Sequence, residues 1–218
     1  MTPEQELRNL AAKVTSPGSP LMDADIQKLN VDSELVSALE NCFSSDRQED
    51  LSLAFLFLGA LLEKNKPSIF PVTFYEKLVP RVRALIQDKH SYVRYRALEL
   101  FVWLRKNYSD YRTVMMENLV ASDLGAKRIA LANYETYANP GEVFPLVRFS
   151  TDSYAADYSM NSTQFYELRD SALQKVSDIV GINFCNERLT QPHEGTTVSW
   201  FDWGPFLEWW EINKRSYS

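Results

Sequence analysis

Cysteine, histidine and glycine are scarce in this chain. Two cysteines in 218 residues, Cys42 and Cys185, are too few and too far apart for a disulfide-stapled scaffold or a cysteine zinc site. They leave open one long-range disulfide or two buried free thiols. Seven glycines suit a helical protein better than one built on tight turns, and no Gly-rich phosphate loop, nucleophile elbow or Cys/His dyad is present. No apolar run reaches membrane-spanning length. The first residues, MTPEQELRNLAAK, are polar and acidic where a secretory leader is basic and then apolar. These absences point to a cytoplasmic, non-enzymatic protein with no cofactor and no metal. A chain of this length buries about 70% of its unfolded surface and needs no staple.

Charge of one sign is missing locally rather than globally. The formal net charge is −6, and it divides into −5 over residues 1–66, +5 over residues 67–112 and −6 over residues 113–218. The basic band contains the stretch most regular in its periodicity, Pro80 to Lys106. There Val82, Leu85 and Ile86, then Val93, Ala97, Leu98, Phe101 and Leu104, recur at helical spacing around the polar break Gln87 to Ser91. This reads as two helices folded on each other. Such a hairpin is too apolar to stand without neighbours.

The remainder supplies them. Thr2-Pro3-Glu4-Gln5 is a capping-box start for a short helix to about Val14, and TSPGSP (15–20) is a linker, which makes that helix a loosely attached arm or a cap. Residues 1–20 are therefore set apart from a single domain over 21–218. A turn or two of helix is expected over Asp23 to Asn30, and Asp32 or Ser33 caps LVSALENCF. LSLAFLFLGALLEKNK is apolar nearly all round, as a helix covered on every side would be. Pro67 and Pro71 end it, and VTFYEKL leads on to Pro80, which either kinks one helix or starts another. Ser109 or Asp110 caps YRTVMMENLVAS, and Asp123 caps a partner helix through Ala138, stopped by Asn139-Pro140-Gly141. Residues 148–162 read as an irregular loop. The helix TQFYELRDSALQKVSDIV closes at Gly181. Residues 182–200 are irregular, with Thr196 to Trp200 able to pair as a short strand, and a last helix runs from Pro205 to Lys214.

One pattern recurs. Val93-Arg94-Tyr95-Arg96-Ala97-Leu98 is echoed by Leu168-Arg169-Asp170-Ser171-Ala172-Leu173, and more weakly by Lys127-Arg128-Ile129-Ala130-Leu131. The small alanine admits close helix approach, and the arginine near the turn is placed to bridge to an acidic turn residue such as Asp88. Asp88, Val93, Arg94 and Ala97 resemble the Asp…Val-Arg…Ala signature of HEAT-type repeats. Val180-Gly181-Ile182-Asn183-Phe184, with the later Phe206-Leu207-Glu208-Trp209-Trp210, resembles the terminal segment of bacterial HEAT-repeat proteins, although a long polar insertion separates the two parts here. The resemblance spans residues 46–214. It implies an all-α fold, a right-handed α-solenoid of about four antiparallel hairpins with an aromatic C-terminal cap of Phe206, Trp209 and Trp210. It assigns structural roles to Asp88, Val93, Arg94, Ala97, Arg128, Arg169 and Ala172, and it specifies no activity.

Three candidate chemistries remain. Iron-dependent HEAT-repeat hydroxylases carry several His-Glu pairs; this chain has one, His193-Glu194, and its other histidine, His90, lacks an acidic neighbour. HEAT-like DNA glycosylases hold a duplex in a cationic groove, and Arg81, Arg83, Arg94, Arg96, Arg105 and Lys106 with Tyr92, Tyr95 and Trp103 offer basic and aromatic groups for one. The acidic chain as a whole weighs against phosphate binding. The aromatic tail from Trp200 serves as a ligand platform or, more commonly, as the cap of the last hairpin. The reading favoured is a scaffold that binds a protein partner along the concave face, with Arg81, Tyr92, Arg96, Arg105 and Lys106 as the partner surface. An immunity or antitoxin protein neutralising a basic toxin, and a glycosylase or DNA-binding protein, are the alternatives.

Overall fold

The computed structural model describes residues 2–14, 21–64, 69–121, 123–151, 162–193 and 196–217. It is mostly helical, with one two-stranded sheet among the described residues. Backbone proximity divides the chain into two compact units, residues 1–108 and 109–218, with the boundary inside the span 21–218 that the sequence reads as one domain.

The first unit begins with α1 (Pro3–Ala12). The Thr2 side chain accepts from the Gln5 amide and the Gln5 side chain accepts from the Thr2 amide, closing the capping box. This helix is no loose arm. Its Leu7, Leu10 and Ala11 are buried, and it packs on α3 (Ser33–Ser44) and α4 (Gln48–Lys64). Its Glu4 amide donates to the buried Asp50 carboxylate, which also accepts from the Ser45 hydroxyl. The expected linker 15–20 lies outside the described residues. A single short turn, α2 (Asp23–Ile26), precedes α3, and Asp32 caps α3 by accepting from the Leu35 amide.

Two hairpins follow, α3 with α4 and α5 (Val72–Leu85) with α6 (Ser91–Trp103). Pro80 lies inside α5, so VTFYEKL and the residues after Pro80 form one continuous helix. The hairpins stack like on like: α3 packs on α5, and α4 on α6. Nearly every apolar residue of α4 is buried, as its all-round hydrophobicity predicts. Ala97 is wholly buried, which permits the close approach of α6.

In the second unit α7 (Tyr111–Val120) packs on α8 (Leu124–Ala132), whose N-terminus is capped by the Asp123 carboxylate on the Ala126 amide. The helix expected through Ala138 stops six residues early. The Asn133 side chain donates to the Ile129 carbonyl, and a 3-10 turn, Tyr134–Thr136, tightens the chain there. A short helix α9 (Phe144–Val147) precedes the expected loop 148–162, and a 3-10 turn, Arg148–Ser150, occupies its start; residues 152–161 lie outside the described residues. Helix α10 (Ser162–Val180) ends at Gly181, whose φ of 71° is the left-handed conformation that glycine adopts freely.

Residues 182–200 are not irregular throughout. Strands β1 (Arg188–His193) and β2 (Thr196–Phe201) form an antiparallel hairpin that lies along α10. Helix α11 (Gly204–Asn213) closes the unit. No helix among the described residues is long and apolar enough to cross a membrane. Cys42 and Cys185 are free thiols, Cys42 buried and Cys185 half-buried. Burial and the carboxylates of Asp50, Glu6 and Glu4 push the Cys42 thiol up to about 12, so it is chemically quiet.

Candidate functional site

Helix α6 buries Val93, Ala97, Leu98, Leu100 and Phe101 and leaves one stripe outside. Positions 92, 96, 99 and 103 fall within a narrow arc of the helix. They hold Tyr92, Arg96, Glu99 and Trp103. Tyr92 is 45% exposed and Trp103 55%, an unusual outlay of aromatic surface on water. By helical rise the two rings stand about 16 Å apart along the axis. The neighbouring α4 repeats the same spacing on its open side with Ser52, Leu56, Gly59 and Glu63.

Arg96 reaches from the α6 stripe to the α4 stripe. Its Nη1 donates to Glu99 Oε2 at 2.6 Å, and its Nη2 rests where a Cβ on Gly59 would stand 3.4 Å away. The guanidinium thus lies over the α4 main chain at ordinary contact distance from that position. The Arg96 Nε is buried without a hydrogen-bond partner. A buried orphan donor costs on the order of 1–3 kcal/mol, and more on a charged group. The face therefore combines two exposed aromatic anchors with a guanidinium that is held in place and incompletely satisfied.

The five expected partner residues are not brought together. Tyr92 and Arg96 share the α6 stripe. Arg105 and Lys106 are exposed on the 3-10 turn that follows the helix. Arg81 belongs elsewhere: from α5 its Nε donates to the Phe43 carbonyl at 2.7 Å and its Nη2 to the Ser45 carbonyl at 2.8 Å, satisfying the C-terminal end of α3. It also meets the exposed Asp46 carboxylate. A cavity of about 320 Å³ beside it, lined by Phe43, Phe74, Leu78, Lys77 and Glu40 among others, has its charges internally matched, because Lys77 pairs with Glu40.

The repeat arginines bond to main chain. Arg94 Nη1 donates to the Asp88 and Lys89 carbonyls at 2.8 and 3.1 Å, while the Asp88 carboxylate accepts from the His90 amide. The expected bridge to Asp88 is thus made to its carbonyl. Arg169, itself buried, donates to the Ser150 carbonyl at 2.7 Å and lies over the Phe165 ring. Arg128 instead pairs with Glu167 on the surface. Ala172 is wholly buried, like Ala97. Lys127, also wholly buried, donates to the Leu119 carbonyl; burial and the nearby Arg148 lower its amine to about 8.

In the aromatic tail Phe206 and Trp210 are buried and Trp209 is half-buried, in a cluster with Phe184 and Tyr217. Among the described residues no group of histidine, cysteine, aspartate or glutamate is placed to hold a metal ion. The His193-Glu194 pair falls outside the described side chains. Sequence reasoning missed Gly59, whose only signal is an exposed glycine mid-helix, and Asp170, whose carboxylate serves two partners far along the chain. Comparison with protein-family models, with curated proteins and with solved structures finds no match to this chain.

Proposed function

We propose that the chain is a non-enzymatic, HEAT-like helical-repeat protein of the cytosol that binds a protein partner through the outer stripes of α4 and α6. The observation that carries this reading is the pair of exposed aromatics, Tyr92 and Trp103, flanking a guanidinium fixed over Gly59. Tryptophan, tyrosine and arginine are the side chains that dominate measured interface energies, since each brings large area or several donors at small entropic cost. Like-on-like stacking of α3 on α5 and α4 on α6 supports the repeat reading, because it leaves the second helix of each pair to form a continuous surface. Arg105 and Lys106 add positive charge at one end of α6 and favour an acidic partner over a basic one.

The test is capture from a native lysate on immobilised protein, followed by mass spectrometry and titration of the partner found. Wild type is expected to retain one partner, and Trp103→Ala and Tyr92→Ala to weaken it by about tenfold or more each without loss of thermal stability. A partner that binds both variants as well as wild type overturns the assignment of the face. Salt-sensitive binding of a DNA duplex, abolished by Arg105→Glu with Lys106→Glu, would replace it with the nucleic-acid reading.

A further inference from the structure

The β1–β2 hairpin has two outer edges, and they differ. In an antiparallel pair, opposed residues alternate between those that exchange main-chain hydrogen bonds and those whose N–H and C=O point outward. The register pairs Arg188 with Phe201, Thr190 with Ser199 and Pro192 with Thr197. The Asp202 amide donates to the Glu187 carbonyl, one step before the Arg188–Phe201 pair, so these three pairs are the outward-pointing ones. On β2 that edge is partly occupied. The Phe201 amide donates to Asp170 Oδ1 at 2.7 Å, and the Ser199 carbonyl accepts from Arg188 Nη2 at 2.8 Å. Arg188 Nη2 also pairs with Asp170 Oδ2 at 2.8 Å, and Trp200 stacks on Tyr166 of α10 with centroids 4.1 Å apart.

Strand β1 is the opposite case. Arg188, Leu189, Thr190, Gln191 and Pro192 are all exposed, and Leu189 is 45% so. Among the described residues the outward amides of Arg188 and Thr190 and the outward carbonyls of Arg188, Thr190 and Pro192 have no partner. Free edges are usually blunted by charge, above all by lysine. This one is blunted only at Pro192, which removes a single outward donor; Leu189-Thr190-Gln191-Pro192 is uncharged and Arg188 is turned back on Asp170.

We propose that β1 is a self-association edge, on which a second copy of this chain adds its own β1 antiparallel about a two-fold axis through Thr190. The strand complements itself in that register. Each Thr190 amide donates to the other Thr190 carbonyl, and each Arg188 amide to the other Pro192 carbonyl. The missing proline donor falls opposite the Arg188 carbonyl at the strand end, where water replaces it. Leu189 comes to lie opposite the second copy's Gln191, whose methylenes cover it. Leu189 to Pro192 carry no charge and Arg188 is paired with Asp170, so two acidic chains can approach there without like-charge repulsion. A C2 contact of this kind closes on itself, because both copies spend the same edge in it, and on the far edge of β2 the Phe201 amide and the Ser199 carbonyl are already taken. The result is a hairpin pair that forms a four-stranded sheet, deeper than the marginal two-stranded ribbon.

Sedimentation velocity of the full chain over a concentration series tests this. Wild type is expected to pass from 25.2 kDa toward twice that mass as concentration rises. Thr190→Pro removes an amide that takes no part in the β1–β2 ladder, as Pro192 already does at an equivalent position. It is expected to raise the dimer dissociation constant by about tenfold or more while leaving the far-UV spectrum unchanged, and the Tm unchanged at concentrations where both chains are monomeric. Amide exchange on the wild type gives a second readout: Thr190 and Arg188 should gain protection with concentration, and Gln191, bonded to β2, should not. A wild-type chain that stays at 25.2 kDa throughout, with Thr190 exchange independent of concentration, overturns the proposal and leaves the edge to a foreign strand. A dimer that Thr190→Pro leaves intact overturns it equally.

Discussion

Helices α6 and α10 carry the same inner pattern and opposite outer ones. Val93, Ala97 and Leu98 in α6 correspond to Leu168, Ala172 and Leu173 in α10, and all six are buried. Arg94 and Arg169 both reach main-chain carbonyls before their helix. The outer stripe of α6 is Tyr92, Arg96, Glu99 and Trp103; the equivalent positions of α10 are Glu167, Ser171, Gln174 and Asp178, every one hydrophilic and exposed. A shared core pattern therefore does not entail a shared surface. The inner positions are constrained by close packing, which tolerates few residue types, whereas the outer ones are free to serve a partner or merely to be solvated.

The comparison can be broken most forcefully at the arginines. Arg169 is buried and Arg94 half-exposed, so Arg169→Ala should cost about 3 kcal/mol and Arg94→Ala about 1 kcal/mol in chemical denaturation. Equal costs would mean that the two play one role irrespective of burial. The third echo of the pattern places Lys127 where the others have Val93 and Leu168. Its amine falls from 10.5 to about 8 on folding. Between those values the unfolded chain binds the extra proton, so stability should rise from pH 8 toward pH 10.5, and below pH 8 the full penalty of about 3 kcal/mol applies. Lys127→Met should remove that slope and stabilise the protein at neutral pH.

Smaller effects sharpen the contrast. Ala97→Leu and Ala172→Leu should each lower stability by about 1–3 kcal/mol, since both side chains are fully enclosed; a Tm unchanged in either would show that the helix approach there is not tight. Gly59→Ala, with 3.4 Å between its new Cβ and Arg96 Nη2, has room for the methyl group. It should raise stability by about 0.5–1 kcal/mol through helix propensity, read as an upward shift of Tm. Trp103→Ala should change stability by about 0.5 kcal/mol or less, because its ring is exposed on the α6 stripe; a larger loss would mark it as structural.

Much of the helical framework was legible because its signals are local. Thr2, Asp32, Asp123 and Gly181 act over a few residues, and the apolar periodicity of α3, α4, α6 and α10 reports which side turns inward. The hairpin was largely illegible. Leu189 to Pro192 does not alternate and includes a proline, and β2 is held by Asp170 and Tyr166, far away along the chain. The bonding of Arg81 is illegible for a related reason: a cation in a basic band looks available, yet Arg81 donates to the carbonyls of Phe43 and Ser45, far away along the chain. Of the candidate face, Tyr92 and Arg96 could be named from the sequence, but neither Glu99 nor Gly59 had reason to be joined to them.

By itself the sequence determined where most helices lie and which positions are buried, since capping and periodicity are interactions between residues within a turn or two of each other. Only the tertiary structure decided which cations are spent on carbonyls and which remain exposed, that a lysine is enclosed at position 127, and that one strand edge is tied to Asp170 and Arg188 while the other is open. Each of those depends on a partner brought near by packing, and chain order holds no record of that distance.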